Sequence, residues 1–474
     1  MTSSLWARDG VLVGGAWRPA RQTEQVENPA TEEVVGSAAS GSAADVDDAV
    51  AAARAAGASW GTTSPSGRAD ALDALHAQLA LRRDVLVATT VAEVGAPVRI
   101  AREVHVDLAL DLIASFARLA RTMPFEERVG HSVVYRMPAG VVAAITPWNY
   151  PLYQLAAKVG AALAGGCTIV AKPAELTPLT AYLLADAAVA AGLPPGVLNL
   201  VPGRGTVVGT ALVAHPGVDV VSFTGSTAVG RQVAQTAARD LKRACLELGG
   251  KSASLLLADA DLDAAVRATV DSAVLNTGQT CSAWTRLLVP WARYDEAVEI
   301  AVAHAETLVV GDPRDERTDV GPLVSAAQRR SVEADVEQAV AEGARVATGG
   351  TAPVDGMTRG HFVRPTVLSG VEPSARVAQR EVFGPVLAVL GYRDEDEAVD
   401  IANGTEYGLA GAVWSADPHR ALAVARRLRV GQVDVNGAPF NPEAPFGGWK
   451  SSGSGRELGR AGIEEFCQLV SVQR

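Results

Sequence analysis

Short apolar runs alternate with amphipathic stretches over most of the chain, and this alternation predicts an α/β protein. In the middle of the chain, five runs of five or six mostly apolar residues are separated mainly by stretches with a helical period. Strands that are apolar at consecutive positions are typical of a parallel sheet covered by helices on both faces. The first five predicted strands are residues 141–146, 167–171, 197–201, 218–223 and 253–257.

The pattern changes on either side of this region. Residues 42–121 have alanine and leucine at helical spacing, and Ser42 can cap the first of these helices. After Asp261 a second alternating series begins. Two such series predict two α/β domains, each with a parallel sheet, and a cleft between them. The strands predicted in the second series are residues 285–290, 385–392, 409–414 and 430–436.

Composition and charge narrow the class of protein. The 474 residues are too many for one core, and 48% apolar with 20% charged residues is typical of globular proteins. A net charge of −11, scattered Lys and Arg and only 5% aromatic residues give no sign of nucleic-acid binding. We expect a cytoplasmic protein without a membrane segment, because the N-terminus lacks signal-peptide features and no apolar run reaches about 18 residues.

Cysteine is rare in this chain, and one cysteine lies in an unusual setting. Cys281 occupies the stretch TGQTCSAWTR, between a glycine and small or polar residues. The four cysteines form no CxxC pair and have no histidine at metal-ligand spacing, so neither a metal site nor a disulfide framework is predicted. From this stretch alone, Cys281 is either an inert core thiol or a reactive group.

A phosphate-binding turn is one reading of the segment VDVVSFTGSTAVGRQ. A buried strand is followed by Gly225, Ser226 and a helix, so free N–H groups at the helix start can face an anion. A plain strand-to-helix turn capped by serine is equally consistent. A Walker loop is excluded, because Arg231 and Gln232 stand where Lys and then Ser or Thr are required.

Charged side chains also follow a predicted strand in IVAKPAEL. Lys172 and Glu175 lie just beyond residues 167–171, at the edge of a parallel sheet where α/β proteins bind nucleotides. The lysine can donate to a ligand, and the glutamate can accept from two ribose hydroxyls. A solvated loop pair is the alternative.

Two further segments have side chains suited to catalysis. In PWNYP, two prolines fix the backbone around Asn149, whose amide can donate to an oxyanion. In LELGGKS, Glu247 stands among leucines and glycines, and an apolar surround raises a carboxyl pKa toward the range of a general base. A structural turn is the competing interpretation of PWNYP.

Taken in order, these segments resemble the NAD(P)-dependent aldehyde dehydrogenase superfamily along nearly the whole chain. The signatures are PWNYP, KPAE, FTGS, LELGGKS, GQTCSA, EVFGP at 381–385 and PFGGWKSSG at 445–453. Each is weak alone, but all seven occur in the family's order at near-family spacing. The resemblance implies two Rossmann-like parallel-sheet domains, for cofactor and catalysis, with a small β oligomerisation extension.

The resemblance also implies roles for individual residues. Cys281 would be the nucleophile, Asn149 and the Cys281 N–H the oxyanion hole, Glu247 the general base and Lys158 a supporting residue. Two further sets follow, for the cofactor and for the substrate. The predicted cofactor residues are Trp148, Lys172, Glu175, Gly225, Ser226, Glu381 and Phe383. The predicted substrate-pocket residues are Tyr150, Tyr153, Gln154, Ala157, Trp284, Phe440 and Phe446.

Substrate and cofactor follow from particular positions. Ala157 stands where many relatives carry a bulky aromatic residue, so a wide pocket is expected, and no arginine is placed to hold a distal carboxylate. We expect a medium-sized aliphatic or aromatic aldehyde. Glu175 would repel the 2′-phosphate of NADP, so NAD is the expected cofactor and NADP the alternative.

The family's architecture implies the following organisation. A homodimer or homotetramer would form through residues 121–138 and 464–474. The cofactor domain would comprise 1–120 and 139–249, the catalytic domain 250–445, and the substrate-entrance loop with its return segment 446–463.

Three functions are compared. A hydrolytic aldehyde dehydrogenase is favoured over a CoA-acylating one, because that branch generally lacks the glutamate present here as Glu247. A catalytically silent binding or structural relative is disfavoured by the intact Cys281, Asn149 and Glu247.

Overall fold

The computed structural model describes residues 6–474. Residues 1–5, part of the N-terminus predicted not to be a signal peptide, lie outside the described residues. The strands are β1 Gly10–Val13, β2 Ala16–Pro19, β3 Thr23–Asn28, β4 Glu33–Ala39, β5 Glu126–Val129, β6 Ser132–Pro138, β7 Val141–Ile145, β8 Thr168–Lys172, β9 Leu198–Leu200, β10 Val220–Thr224, β11 Arg243–Glu247, β12 Ala253–Leu256, β13 Arg286–Pro290, β14 Arg345–Thr348, β15 Thr366–Ser369, β16 Val386–Tyr392, β17 Ala410–Trp414, β18 Gln432–Val435, β19 Gly453–Ser454 and β20 Cys467–Gln473.

Helices precede, separate and cover these strands, and short π or 3₁₀ turns adjoin several of them. The α-helices are α1 Ala43–Trp60, α2 Pro65–Ala80, α3 Arg83–Val94, α4 Val98–Ile100, α5 Leu108–Thr122, α6 Pro151–Gly165, α7 Leu179–Ala190, α8 Thr210–Ala214, α9 Thr227–Arg239, α10 Leu262–Val274, α11 Tyr294–Ala305, α12 Ala326–Ala341, α13 Arg376–Gln379, α14 Glu395–Asn403, α15 Pro418–Ala425 and α16 Gly459–Glu464.

The first large sheet has eight strands in the order β19-β11-β10-β7-β8-β9-β1-β2. Its five central strands, β11 to β9 in this order, run parallel, whereas β19 and the β1–β2 hairpin are antiparallel. The predicted parallel sheet is therefore correct for the core, but the complete sheet is mixed. Strands β7, β8 and β10 are buried along their whole length, which explains why they read as continuous apolar runs.

The second large sheet has seven strands in the order β14-β15-β16-β13-β12-β17-β18. All are parallel to their neighbours except the edge strand β14, and all lie within the range 250–445 predicted for the catalytic domain. The predicted α/β class with two sheet domains is confirmed. The exact domain boundaries stay a prediction.

A hairpin that was not predicted extends the first sheet. Gly14 and Gly15 connect β1 to β2, and both have positive φ, of 60° and 81°. This is the backbone that a tight two-residue hairpin turn requires, and glycine adopts it without strain. The Gly-Gly pair between the short segments GVLV and AWRP was a usable signal for this element.

The first helix begins where the sequence predicts it. The Ser42 side chain accepts a hydrogen bond from the Asp45 N–H, while the Asp45 carboxylate accepts from the Ser42 N–H at 2.8 Å. This reciprocal capping box satisfies two backbone donors at the start of α1.

A three-stranded sheet in the order β20-β6-β5 lies outside the two large sheets. Strand β20 pairs with β6 over its full length, so the two segments predicted for oligomerisation come together. Apolar side chains on this sheet are exposed: Val129, Met137, Leu469, Val470 and Val472.

Within residues 6–474, no helix has both the length and the apolar character needed to cross a bilayer.

Candidate active site

Four of the predicted motifs meet at one edge of the first sheet. PWNYP follows β7, KPAE begins at the last residue of β8, TGS begins at the last residue of β10, and Glu247 is the last residue of β11. These four strands are parallel and adjacent in the order β11-β10-β7-β8. Their carboxyl ends therefore open on a common crevice, the usual ligand position in such sheets.

The cysteine loop is tied to the PWNYP turn by two reciprocal hydrogen bonds. The Asn276 side chain donates to the Asn149 carbonyl, and the Asn149 side chain donates to the Gln279 carbonyl, each at 2.9 Å. Asn276 and Thr277 hold left-handed φ angles of 53° and 59°, which bend the chain sharply before Cys281. The bend and the two bonds fix the position of Asn149 relative to the cysteine loop.

Tyr150 makes a third connection between these segments. Its hydroxyl lies 2.6 Å from the Thr280 hydroxyl, and its ring packs on His105 with centroids 4.4 Å apart. His105 is fully buried, and its Nε2 lies 3.3 Å from the Asn276 side-chain oxygen. Sequence reasoning gave no role to His105, Asn276 or Thr280. His105 and Asn276 lie outside the recognised signatures, and Thr280 lies within GQTCSA, where attention fell on Cys281.

Cys281 lies in the wall of a cavity beside this connection. Burial, followed by the charges of Glu381 and Glu247, raises the pKa of its thiol to about 12. The thiol is therefore protonated at neutral pH in the protein alone, and its reaction as a nucleophile requires a proton acceptor. The Cys281 carbonyl packs so closely that a Cβ on Gly250 would lie 2.4 Å from its oxygen, which restricts that position to glycine.

Glu247 is a buried carboxyl whose charge acts on Cys281. Its side chain is 3% exposed, and neither carboxyl oxygen has a hydrogen-bond partner among the described residues. Burial first, and then the charge of Glu457, hold its pKa well above the ordinary value. Buried polar groups without a protein partner commonly pair with an ordered water.

A buried ion pair, Lys158 with Glu457, acts on Glu247. The Lys158 ammonium lies 2.5 Å from Glu457 and donates to the Ser222 hydroxyl at 3.0 Å. The Lys158 charge lowers the pKa of Glu247 and the Glu457 charge raises it, so the pair sets the basicity of Glu247. Lys158 was predicted as a supporting residue. Glu457 was missed, because it follows the recognised PFGGWKSSG segment and belongs to no motif.

The cavity that contains Cys281 has a volume of about 180 Å³. Six of the seven residues predicted to form the substrate pocket line it, namely Tyr150, Tyr153, Gln154, Trp284, Phe440 and Phe446. The lining residues that were not predicted are Val104, Leu108, Ser272, Leu275, Thr280, Ser282, Ala283, Gln432, Asp434, Glu457 and Leu458.

The prediction for Ala157 was wrong. Its side chain is 2% exposed, belongs to the main core and is absent from the cavity wall. Tyr153 and Ala157 are one helical turn apart on α6, so Ala157 lies a turn deeper, where α5 packs on α6. Ala157 is therefore a core residue of α6 and not part of the cavity wall.

Comparison with known proteins decides the family. Residues 17–472 match the profile described as the Aldehyde dehydrogenase family. The chain belongs to the aldehyde dehydrogenase family.

Two relatives of this aldehyde dehydrogenase are similar to it along nearly the whole of their length. A 3-succinoylsemialdehyde-pyridine dehydrogenase from a Pseudomonas species is 46% identical, with 97% of each chain covered. The geranial dehydrogenase of Castellaniella defragrans is 44% identical, with 98% of each chain covered.

Solved structures agree with the fold. Aldehyde dehydrogenase C of Pseudomonas syringae, a cysteine-to-alanine mutant in complex with NAD+ and octanal, superposes with a TM-score of 0.98 at 46% identity, covering 100% of this chain and 98% of that one. A Mycobacterium tuberculosis aldehyde dehydrogenase in complex with NAD+ has a TM-score of 0.97 at 42% identity, with 99% of each chain covered. The predicted family, fold class and enzyme class are confirmed.

An aldehyde dehydrogenase needs a hydride acceptor, and two predicted cofactor residues lie together at the end of β8 and just beyond it. The Lys172 ammonium donates to the Pro173 carbonyl at 2.8 Å and lies 3.3 Å from the Glu175 carboxylate. Lys172 is buried, whereas the Glu175 side chain is 46% exposed and free to accept from a ligand hydroxyl. Burial lowers the pKa of Lys172, and Glu175 opposes that change.

The start of α9 provides an anion site on the same edge. Ser226 is the N-cap of α9 and accepts from the Val229 N–H, while the Gly225 N–H donates to the Glu247 carbonyl. The first turn of α9 contains no acidic residue, so its partial positive charge is not offset within that turn.

Glu381 and Phe383 approach from the catalytic domain. Glu381 accepts from the Gly250 N–H at 3.1 Å, and burial raises its pKa to about 7. A Cβ on Gly249 would lie 2.3 Å from the second carboxyl oxygen, so this glycine leaves the space that the carboxyl occupies. Phe383, at φ 58°, packs edge-on against Trp148 with centroids 5.2 Å apart.

This set of groups fits a dinucleotide. Two carboxyls, Glu175 and Glu381, can each accept from ribose hydroxyls, Lys172 supplies a charged donor, and the α9 terminus suits a pyrophosphate. The predicted cofactor, NAD, is the dinucleotide in the complexes of both neighbouring structures described above.

Proposed function

We propose that this enzyme oxidises medium-sized aliphatic or aromatic aldehydes to carboxylic acids with NAD, through a covalent intermediate on Cys281. One observation carries the proposal: Cys281 lies in an aromatic-lined cavity, in a loop bonded to Asn149 and close to the buried, unpartnered Glu247. The cavity volume of about 180 Å³ suits a medium-sized apolar chain or ring.

In the first half of the reaction, the Cys281 S–H bond breaks and its proton passes to solvent water, while the sulfur bonds to the aldehyde carbon and the carbonyl π electrons move to oxygen. The Asn149 amide has two N–H groups, and only one donates to Gln279. The other, together with the Cys281 backbone N–H, stabilises the alkoxide, a contribution of roughly 3–4 kcal/mol at comparable sites. NAD, when bound, supplies the hydride acceptor that makes this step an oxidation.

In the second half, Glu247 takes a proton from water, and the resulting hydroxide attacks the thioester carbon. The carbon–sulfur bond breaks, the acid leaves, and the Cys281 thiol is regenerated. The high pKa of Glu247 makes it a stronger base once it is ionised, but delays ionisation to higher pH. Hydrolysis is therefore expected to rise with pH through that pKa.

The Glu457→Gln variant tests the electrostatic part of this account. The substitution removes the Glu457 negative charge, which raises the pKa of Glu247. It also leaves the positive charge of Lys158 unopposed. Both changes lower the pKa of Glu247, so the acidic limb of the hydrolysis rate should move to lower pH. The measurement is the pH profile of hydrolysis, obtained from single-turnover decay of the thioester.

The matched control for this experiment is Glu372→Gln, which removes the same charge from an exposed position of the catalytic domain. The control profile should coincide with that of the wild type. A Glu457→Gln profile that does not move, or that moves to higher pH, would contradict the role assigned to the pair.

Cofactor choice gives another prediction. Glu175→Gln should raise kcat/KM with NADP relative to NAD by about tenfold, because a carboxylate that repels the 2′-phosphate is removed from a partly exposed site. Steady-state NADH and NADPH formation at limiting cofactor measures the ratio. An unchanged ratio would show that Glu175 does not discriminate against the phosphate.

The proposed homodimer or homotetramer forms through the sheet of β5, β6 and β20. Support comes from its row of exposed apolar side chains, including Leu469 at 68% exposure, and from the exposure of six of the seven residues of β20. Contiguous exposed apolar surface of this kind marks association sites. Sedimentation analysis that finds only a monomer at micromolar concentration would overturn the proposal.

The cytoplasmic location stays a prediction, and it is supported by the state of the thiols. All four cysteines are free, and three of them are buried. Reduced thiols are typical of the cytoplasm. Cell fractionation of the native host tests this location. Recovery of the protein in an oxidising compartment would contradict the prediction.

The overall function is tested by absorbance of NADH over a panel of aldehydes, with and without CoA. Formation of the free acid at a rate independent of CoA is expected. Formation of an acyl-CoA, with turnover that requires CoA, would favour the acylating alternative.

A further inference from the structure

Strand β18 presents two polar side chains to the substrate cavity. Residues two apart on a strand share a face, and Gln432 and Asp434 both line the cavity. The alternate residues, Val433 and Val435, pack against the core of the catalytic domain. The strand is the edge strand of its sheet, and the face that carries Gln432 and Asp434 lines the cavity.

The Asp434 carboxyl is only partly satisfied. Gln432 donates to one of its oxygens at 2.9 Å, and no Lys, Arg or His in residues 6–474 forms an ion pair with it. Burial raises the pKa of Asp434 above its ordinary value. Its second oxygen is left to accept from whatever occupies the cavity.

The rest of the cavity wall favours a cation over an anion. Its aromatic members include Tyr153, Trp284, Phe440 and Phe446, whose ring faces attract positive charge. Within the described residues, the wall contains no lysine or arginine. Its other carboxyl, that of Glu457, is already paired with a buried lysine, so Asp434 is the acid in the wall that has no cation.

We propose that Asp434, oriented by Gln432, is a specificity-determining residue that favours aldehydes carrying a positively charged group at the end far from the carbonyl and disfavours those ending in a carboxylate. The proposal rests on the proposed function, because it concerns the substrate of the same cavity. A cation in the cavity gains attraction from Asp434 and from the aromatic faces, whereas an anion meets uncompensated repulsion from Asp434 in a partly desolvated site. Neutral aldehydes bind by apolar contact alone.

Three aldehydes of matched length isolate the charge. These are 6-(trimethylammonio)hexanal, its neutral isostere 7,7-dimethyloctanal, and the anionic 8-oxooctanoate. The first two have the same shape, and in all three the charged or branched end is separated from the carbonyl by methylene groups, which keeps carbonyl reactivity equal. The ratio of kcat/KM between them reports recognition of the far end.

In the wild type, kcat/KM should be higher for the cation than for its neutral isostere, and lowest for the anion. Asp434→Asn should lower the cation-to-neutral ratio by roughly tenfold and raise the anion-to-neutral ratio by a similar factor, while leaving the neutral aldehyde nearly unchanged. Asp400→Asn, at an exposed position on α14, removes the same charge and should leave both ratios unchanged.

The outcomes are separable. The role of Asp434 would be overturned if Asp434→Asn left the two kcat/KM ratios unchanged. It would also be overturned if Asp400→Asn changed these ratios as much as Asp434→Asn does. Equal loss of all three activities would also overturn it, because it would show a structural effect and no charge selection. Absence of activity on the neutral aldehyde in the wild type would instead reject the proposed function.

Discussion

The Cys281→Ala variant is expected to lose aldehyde-dependent NADH formation by at least about 10⁴-fold, since removal of a nucleophile abolishes the covalent route. NAD binding and thermal stability should be retained, because the thiol lies in the cavity wall and its loop is held by Asn149, Asn276 and Thr280. The Pseudomonas syringae neighbour is itself a cysteine-to-alanine mutant in complex with NAD+ and octanal.

The matched control is Cys167→Ala, which removes a thiol buried beside Phe466, outside the cavity. This variant should keep its turnover number. Steady-state absorbance at saturating aldehyde, together with NAD binding by fluorescence quenching, measures both properties. Turnover by Cys281→Ala within tenfold of the wild type would show that another group carries the reaction.

The second large effect is expected for Glu247→Gln. The amide has the shape of the carboxyl but cannot take a proton from water, so hydrolysis should slow by about 10²- to 10⁴-fold. In our account Glu247 activates the water of the second half and takes no part in the first half. A burst of NADH near one per active site should therefore precede slow turnover. Rapid-quench absorbance measures the burst, and intact-protein mass spectrometry detects the accumulated thioester.

Two results would change the assignment of Glu247. Unchanged steady-state turnover would remove it from hydrolysis. Loss of the burst along with turnover would place it in activation of the Cys281 thiol, whose pKa the Glu247 charge helps to raise. Added hydroxylamine should release the acyl group from the variant and serves as the chemical control for a thioester.

Much of this architecture could be predicted from sequence because burial and local chemistry agree. The central strands β7, β8 and β10 are buried at every position, so each reads as an apolar run with no competing period. The start of α1 has its capping residues three apart in the chain. Elements of this kind are determined by neighbours in sequence.

The polar edge elements and the supporting residues could not be predicted in the same way. Strand β2 is exposed along its length, and β3 is exposed at alternate positions, so neither gives a hydrophobic run. Glu457 meets Lys158 across 299 positions, and Asn276 meets Asn149 across 127. Only the fold brings such pairs together. The prediction for Ala157 was wrong for a related reason. Helical spacing predicts which face of α6 a residue occupies, but it does not predict how far below the cavity wall that turn of the helix lies.

The chemistry at Asp434 shows what sequence pattern can still add. Two polar residues at alternate positions of VGQVDVN interrupt an otherwise apolar strand, which indicates one polar face. The resemblance to the family did not draw attention to them, because they lie between its signatures. The structure directs that face at the cavity that contains Cys281.

The central claim is that the aldehyde carbon becomes bonded to the sulfur of Cys281, and peptide mapping of the acyl group tests it most directly. Wild-type enzyme turning over octanal and NAD would be quenched in acid within milliseconds, digested and analysed by tandem mass spectrometry. We predict an octanoyl group on the peptide that contains Cys281 and on no peptide of Cys167, Cys245 or Cys467. An acyl group on another residue, or none while NADH is being formed, would contradict the account.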